Sequence, residues 1–291
     1  MPIFPLSLIL LSTLFHASWN LLAHARREDA TLFVRANLLA GLAGLGPVLW
    51  LQLTDDPFPP AIWPLLLATG FFQAVYFLGL GMGYRAGDFS IVYPVARALP
   101  VLALALVDIA RGRPPSVLGW LGIELVTAGC LLAPLSSLAA VSRERYLNAT
   151  IFWVLVTAAG TVGYSGVDKI ALEMLRPGLL SALRYGVVQW LLTAPFLWLG
   201  LRYVARLPLV RGSASDWRRA ALATIFISTA YTIILWVYQM IPQASYVVAL
   251  RQFSIVLGVL AAVVFFHEPA AKLRLTAALV ITAGVALVGL A

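Results

Sequence analysis

Apolar residues fall in ten long blocks along this 291-residue chain, separated by short polar breaks. A bilayer core of about 30 Å is spanned by roughly 20 residues of helix. The blocks predict transmembrane helices at 3–24, 31–53, 61–83, 89–110, 116–134, 148–170, 179–200, 217–239, 243–266 and 273–291. The breaks carry turn chemistry. "TDDPFPP" (54–60) and "RGRPPS" (111–116) hold prolines, which lack the N–H that a continuing helix needs. The first block has no basic segment ahead of it and a basic cluster behind it. It reads as a first membrane helix and not as a cleaved signal.

The second five blocks repeat features of the first five, in the same order. Arg97 falls on Arg251 and Pro115 on Pro269. "TAG" at 127–129 recurs at 282–284, Tyr76 falls on Tyr231 and Tyr84 on Tyr238. Arg35, Pro47 and Trp50 match Arg184, Pro195 and Trp198. The common order and near-constant spacing predict two repeats, 1–140 and 141–291. Each holds five helices, and an odd number makes the second repeat enter from the opposite side. The expectation is an all-α integral membrane protein of ten transmembrane helices, built as two inverted five-helix repeats, an architecture of secondary transporters.

Composition agrees with that class. The chain is 62% hydrophobic and 11% charged, whereas soluble domains are about 45–50% apolar and about 25% charged. A net charge of +8 would draw attention to nucleic acid in a soluble protein. No basic helix or stacking platform accompanies it here, so basic loops facing a cytoplasm and anionic lipid explain it, and no nucleic-acid partner is expected. The single cysteine, Cys130, permits no intrachain disulfide. Arg26, Arg27, Arg85, Arg143, Arg145, Arg202, Arg206, Arg211, Arg218, Arg219, Lys272 and Arg274 lie in loops after odd-numbered helices. Only Arg111, Arg113, Lys169 and Arg176 lie on the other side, so the positive-inside rule puts both termini outside the cytoplasm.

Four arginines remain within helices. Arg35 and Arg184 are near helix starts and are expected to snorkel to the interface. Arg97 and Arg251 are near helix centres, where an ionisable residue is costly and faces the bundle interior. An inverted repeat brings such equivalent positions toward a midplane site. Two guanidiniums there form a fork-shaped receptor for a carboxylate or phosphate-like group. The structural alternative is neutralisation by an internal acid or by helix-end carbonyls. Tyr93, one turn before Arg97, and Ser254, three residues after Arg251, are candidates beside them. His16, Trp19 and Asn20 on helix one, and Tyr76 and Tyr231 on helices three and eight, are further candidate lining residues. Among acids at membrane depth, Asp168 and Glu124 are candidates for coupling or gating, with Lys169 beside Asp168. His24 and His267 carry no metal-ligand spacing. No nucleophile elbow, phosphate loop or metal cluster is present, so no enzyme activity, metal or cofactor is expected.

"HASWNLLAHA" (16–25), "GDFSIVYPVARALPVL" (87–102), "YSGVDK" (164–169) and "ASYVVALRQFSIVLGVLAAVVFFHEP" (244–269) resemble the EamA-type permeases of the drug/metabolite transporter superfamily. The resemblance covers nearly the whole chain. It implies a central cavity lined by both halves, alternating access, and a multi-pass protein of the bacterial inner membrane. Family halves close helices four and nine with an acidic turn. The second half keeps Glu268, whereas the first reads "ARGRPP". The family is described with cytoplasmic termini, which the charge count here reverses.

The sequence thus points to a secondary transporter of a small anionic or zwitterionic metabolite, amino-acid-like or a carboxylate or phosphonate. Its partners are the solute, the lipid bilayer, and a proton or counter-solute, in a monomer or homodimer. The alternative is an intramembrane enzyme or lipid-processing protein acting on a phosphate-bearing lipid, which needs a base facing the arginines.

Overall fold

The computed structural model describes residues 1–24, 29, 31–54, 56–86, 89–133, 149–206, 213–266 and 271–291. The helices among them are α1 (Ile3–His24), α2 (Leu32–Thr54), α3 (Ile62–Ala86), α4 (Phe89–Ala110), α5 (Val117–Leu132), α6 (Ala149–Glu173), α7 (Leu179–Leu199), α8 (Ala214–Tyr238), α9 (Ala244–Arg251), α10 (Phe253–Phe266) and α11 (Ala271–Leu290). A π-helical turn, Gly200–Val204, continues α7. Counted with α9 and α10 as one broken helix, the described helices number ten, and no described residue is in a strand. Eight stretches among them are long and apolar enough to cross a membrane.

Local signals set several ends. Ser116 accepts a hydrogen bond from the Gly119 N–H at 3.0 Å and starts α5. Ser213 and Asp216 form a reciprocal capping box at the start of α8. The start of α9 is capped from another helix. Both oxygens of buried Asp108, on α4, accept from the Ala244 and Ser245 N–H groups at 3.0 and 2.8 Å. A carboxylate there satisfies orphan donors and complements the helix dipole.

The packing has a regular pairing. α3 lies along α6 and α8 along α1, while α2 pairs with α7 and α5 with α11. α4 touches α6 as the α9–α10 pair touches α1, and α3 touches α7 as α8 touches α2. Exchanging the first five helices with the last five carries each of these contacts onto another or, for α2–α7 and α5–α11, onto itself. The outer faces are apolar: Leu14, Trp50, Phe71, Leu106, Phe152 and Leu279 are exposed. Acyl chains, which accept apolar surface without penalty, suit that exterior.

Two expectations need correction. Arg35 and Arg184 do not snorkel. Both are buried and ion-paired, Arg35 with Asp29 and Arg184 with Asp56 at 2.5 Å. Arg35 also donates to Thr31 at 2.7 Å, and Arg184 lies 4.7 Å over the Phe58 ring. Loop acids reach in to the arginines, so the side chains need not reach out. The ninth helix is also not continuous, and breaks at Gln252.

The Arg184 pair makes a stability prediction. Arg184→Gln leaves Asp56 beside a buried, uncharged partner, with the exposed Arg176, 3.8 Å from its other oxygen, as the remaining cation. The expected loss is about 3 kcal/mol, toward the low end for a buried pair, because Asp56 is 30% exposed. A thermal midpoint in detergent equal to wild type would show that the pair contributes nothing.

Candidate functional site

The break at Gln252 organises the centre of the protein. Its side chain turns back, Nε2 donating to the Val248 carbonyl at 3.0 Å and to the Arg97 carbonyl at 3.3 Å. Arg97 answers with Nε donating to Gln252 Oε1 at 2.6 Å and Nη2 to the Arg251 carbonyl at 3.1 Å. Ser254 Oγ donates to that same carbonyl at 2.9 Å. The exposed end of α9 thus receives two donors in place of its lost helical bonds. Its negative dipole end also lies beside two cations, which lowers the cost of burying them.

His16 sits between the two arginines. Arg97 Nη1 lies within hydrogen-bond reach of its Nε2, and Arg251 Nη2 is 3.4 Å from its Nδ1. Trp19 Nε1 also donates to Nδ1, at 3.1 Å. Every group facing the ring nitrogens is a donor, yet a neutral imidazole accepts through one nitrogen only. Arg251 Nε is buried without a hydrogen-bond partner. No carboxylate among the described residues pairs with Arg251, which is 6% exposed. Among the described residues the centre therefore holds more donors than acceptors.

From there a row of rings leads to the acid. The Arg251 guanidinium lies 5.4 Å over the Tyr231 ring. Tyr231 packs edge-on against Tyr164, and Tyr164 against Tyr76, each with centroids 5.5 Å apart. The Tyr231 hydroxyl donates to Asp168 Oδ2. Oδ1 accepts from Thr69 at 2.5 Å and Tyr185 at 2.8 Å, and Gln189 Nε2 reaches both oxygens at 3.3 and 3.1 Å.

Lys169 goes elsewhere. Neighbours in sequence point about 100° apart on a helix, and Lys169 donates to the Tyr238 carbonyl at 2.6 Å and pairs with Glu173 at 2.7 Å. Arg111 and Arg113, from the α4–α5 connection, pair with the same Glu173. Gln239 ties the start of the α8–α9 connection to the Leu172 and Arg176 carbonyls at 3.3 and 3.1 Å. Together these contacts lace the ends of α4, α6 and α8 and the start of α9.

The structure brings Arg97, Arg251, His16, Trp19 and Ser254 together, with Asn20 donating to the His16 carbonyl at 2.7 Å. Tyr76, Tyr231 and Asp168 join through the ring row. Glu124 does not join them, because its position on α5 faces outward with Leu121 and Leu131. The side chains of Tyr93 and His24, and residues 267–270 with His267 and Glu268, lie outside the described residues. Gln252, Gln189, Tyr185 and Thr69 are site residues that the sequence reading passed over. Gln189 and Thr69 could have been found by the rule that singled out the arginines, a polar group within a membrane-length apolar run. His16 faces the arginines, as a lipid-processing enzyme would want of a base. Its ring nitrogens, however, already meet N–H donors.

Residues 3–134, the first five helices, match the family model of the EamA-like transporter family. No protein of curated function matches the chain by sequence. A solved structure, described only as a crystal structure of a protein, superposes with a TM-score of 0.70 over 100% of this chain and 98% of its own, at 16% identity. That likeness carries the fold alone. The matched family is, by its description, one of transporters. Over residues 3–134, then, the chain is similar to the EamA-like transporter family.

Proposed function

We propose that this protein is a secondary transporter of a small solute bearing a carboxylate or similar oxyanion, held by Arg97 and Arg251 beside His16. The observation that carries the reading is the buried Arg251 Nε without an acceptor, within a surplus of donors among the described residues. An oxyanion between the guanidiniums supplies acceptors to both, and bidentate geometry suits arginine. Trp19 and the Tyr76–Tyr164–Tyr231 row lie beside the two arginines and are the rings that the rest of the solute would meet.

The transport reading takes the chain as two inverted repeats, 1–140 and 141–291, alternating about a central site. The matched positions in the sequence and the packing that survives exchange of the halves support it. The network of Arg111, Arg113, Lys169 and Glu173 closes one end of the bundle in this reading, and opening that end requires it to part. By the distribution of basic loops this end is non-cytoplasmic, as are both termini, in a bacterial inner membrane.

Purified protein screened by thermal shift against small carboxylates, phosphonates and their neutral amides should be stabilised by the anions alone, since a ligand of the folded state raises apparent stability. The best anion should then exchange across proteoliposomes. Stabilisation by the neutral amides to the same degree, or anion shifts that persist in the Arg97→Gln, Arg251→Gln double variant, would sink the assignment.

A further inference from the structure

We propose that Asp168 is a proton-binding site and that its proton travels in the same direction as the anion held at Arg97 and Arg251. This rests on the anion site proposed above.

The carboxylate is fully buried, and no cation pairs with it among the described residues. Hydroxyls of Thr69, Tyr185 and Tyr231 and the amide of Gln189 hold it instead. These are donors, and they fit the ionised form. A protonated carboxyl needs an acceptor as well, and one stands beside it. Gln189 Oε1 is buried without a hydrogen-bond partner, while Nε2 of the same amide touches Asp168 and, at 2.7 Å, Thr69. Turning the amide exchanges donor for acceptor. The Thr69 hydroxyl, which accepts from Gln189 and donates to Asp168, reverses with it. The cluster can therefore satisfy the carboxyl with or without its proton. A carboxylate that only braced the helices would need no spare acceptor.

Among the described residues, the titratable and charged groups that meet Asp168, or a residue touching it or Lys169, from the elements packed against α6 are few. Tyr76 comes from α3, Tyr185 from α7, Tyr231 and Tyr238 from α8, and Arg251 from α9. On α4, Arg97 engages His16 and Gln252, and Asp108 caps α9. Lys169, on α6 itself, points to Tyr238 and Glu173. Through contacts, Arg251 is thus a positive charge one tyrosine away from Asp168.

That contact sets the sign of the coupling. With the anion site empty, the arginines favour the ionised carboxylate across Tyr231. An anion bound between them offsets their charge, and Asp168 then takes up a proton from water. By reciprocity, the protonated carboxyl strengthens anion binding by the same factor. Anion and proton load together and leave together.

Inorganic sulfate is a suitable probe, because it is a bidentate oxyanion that does not itself titrate near neutral pH. Full-length protein in weakly buffered detergent with a pH indicator should take up protons as sulfate binds. Asp168→Asn should bind sulfate, seen by thermal shift, with the uptake lost. Should that variant fail to fold, Thr69→Val and Tyr185→Phe each strip one donor from the ionised form, and each must move the uptake to higher pH. Proton release, uptake undiminished in Asp168→Asn, or sulfate binding with no uptake would overturn the coupling and leave the anion site standing. Absence of any sulfate shift that depends on Arg97 and Arg251 removes the anion site itself, and the coupling with it.

Discussion

Replacing Arg251 by glutamine is expected to weaken oxyanion binding by about 2–5 kcal/mol, between roughly 30-fold and a few thousand-fold, without lowering the thermal midpoint of the empty protein. The two halves of that result have separate causes. Bound anion loses one of two guanidiniums at a largely buried site, where charge-assisted bonds are stronger than in water. The empty protein loses a buried cation that no described carboxylate balances, and with it the orphaned Nε. Glutamine keeps an amide to meet His16 but brings no charge to desolvate. Arg184→Gln should do the reverse, since Arg184 is matched by Asp56 and serves the fold. Titration calorimetry of the anion and a melting curve of the empty protein separate the two arginines. A large loss of stability in Arg251→Gln would mean that this arginine braces the helix break and is not kept for a ligand.

That contrast was only half legible in the sequence. All four arginines stood out as charges within apolar runs, because apolar length is a local property. Which of them meets an acid depends on chain contacts at long range. Asp56 is 128 residues from Arg184, and its role is visible only once α2 and α7 pack together. The break at Gln252 was hidden for a related reason. "ALRQFSI" (249–255) contains neither proline nor glycine, and what stabilises the break is Gln252 bonded to Arg97 from α4. Asp168 and Lys169 were read as one motif, although helical geometry sends adjacent side chains to different faces. Glu124 was read as an interior acid because α5 is apolar all round, which leaves the pattern without a polar face to orient it.

The fold itself should fail at the crossing of α5 and α11. Gly284→Ala is expected to destabilise the protein by about 3 kcal/mol, at the upper end of the cost of overpacking. A Cβ at Gly284 would sit 2.7 Å from both the Gly122 carbonyl oxygen and the Val126 nitrogen. A Cβ at Gly122 would lie 2.8 Å from the Gly284 carbonyl oxygen and from the Val288 nitrogen. Backbone meets backbone on both sides, so no side chain can swing away and the helices must part. Membrane helices have no hydrophobic drive to re-form the contact at longer range, since lipid solvates leucine as well as protein does. The sole cysteine reports the result, because Cys130 lies buried on α5. Maleimide labelling of Cys130 under mild heating should be slow in wild type and fast in Gly284→Ala. Gly46→Ala is the control: its added Cβ meets no atom within 4 Å, and exchanging glycine for alanine inside a helix favours folding by about 1 kcal/mol. Equal labelling of Gly284→Ala and wild type would show that the two helices do not cross this closely, and the contact on which α5 depends would have to lie elsewhere.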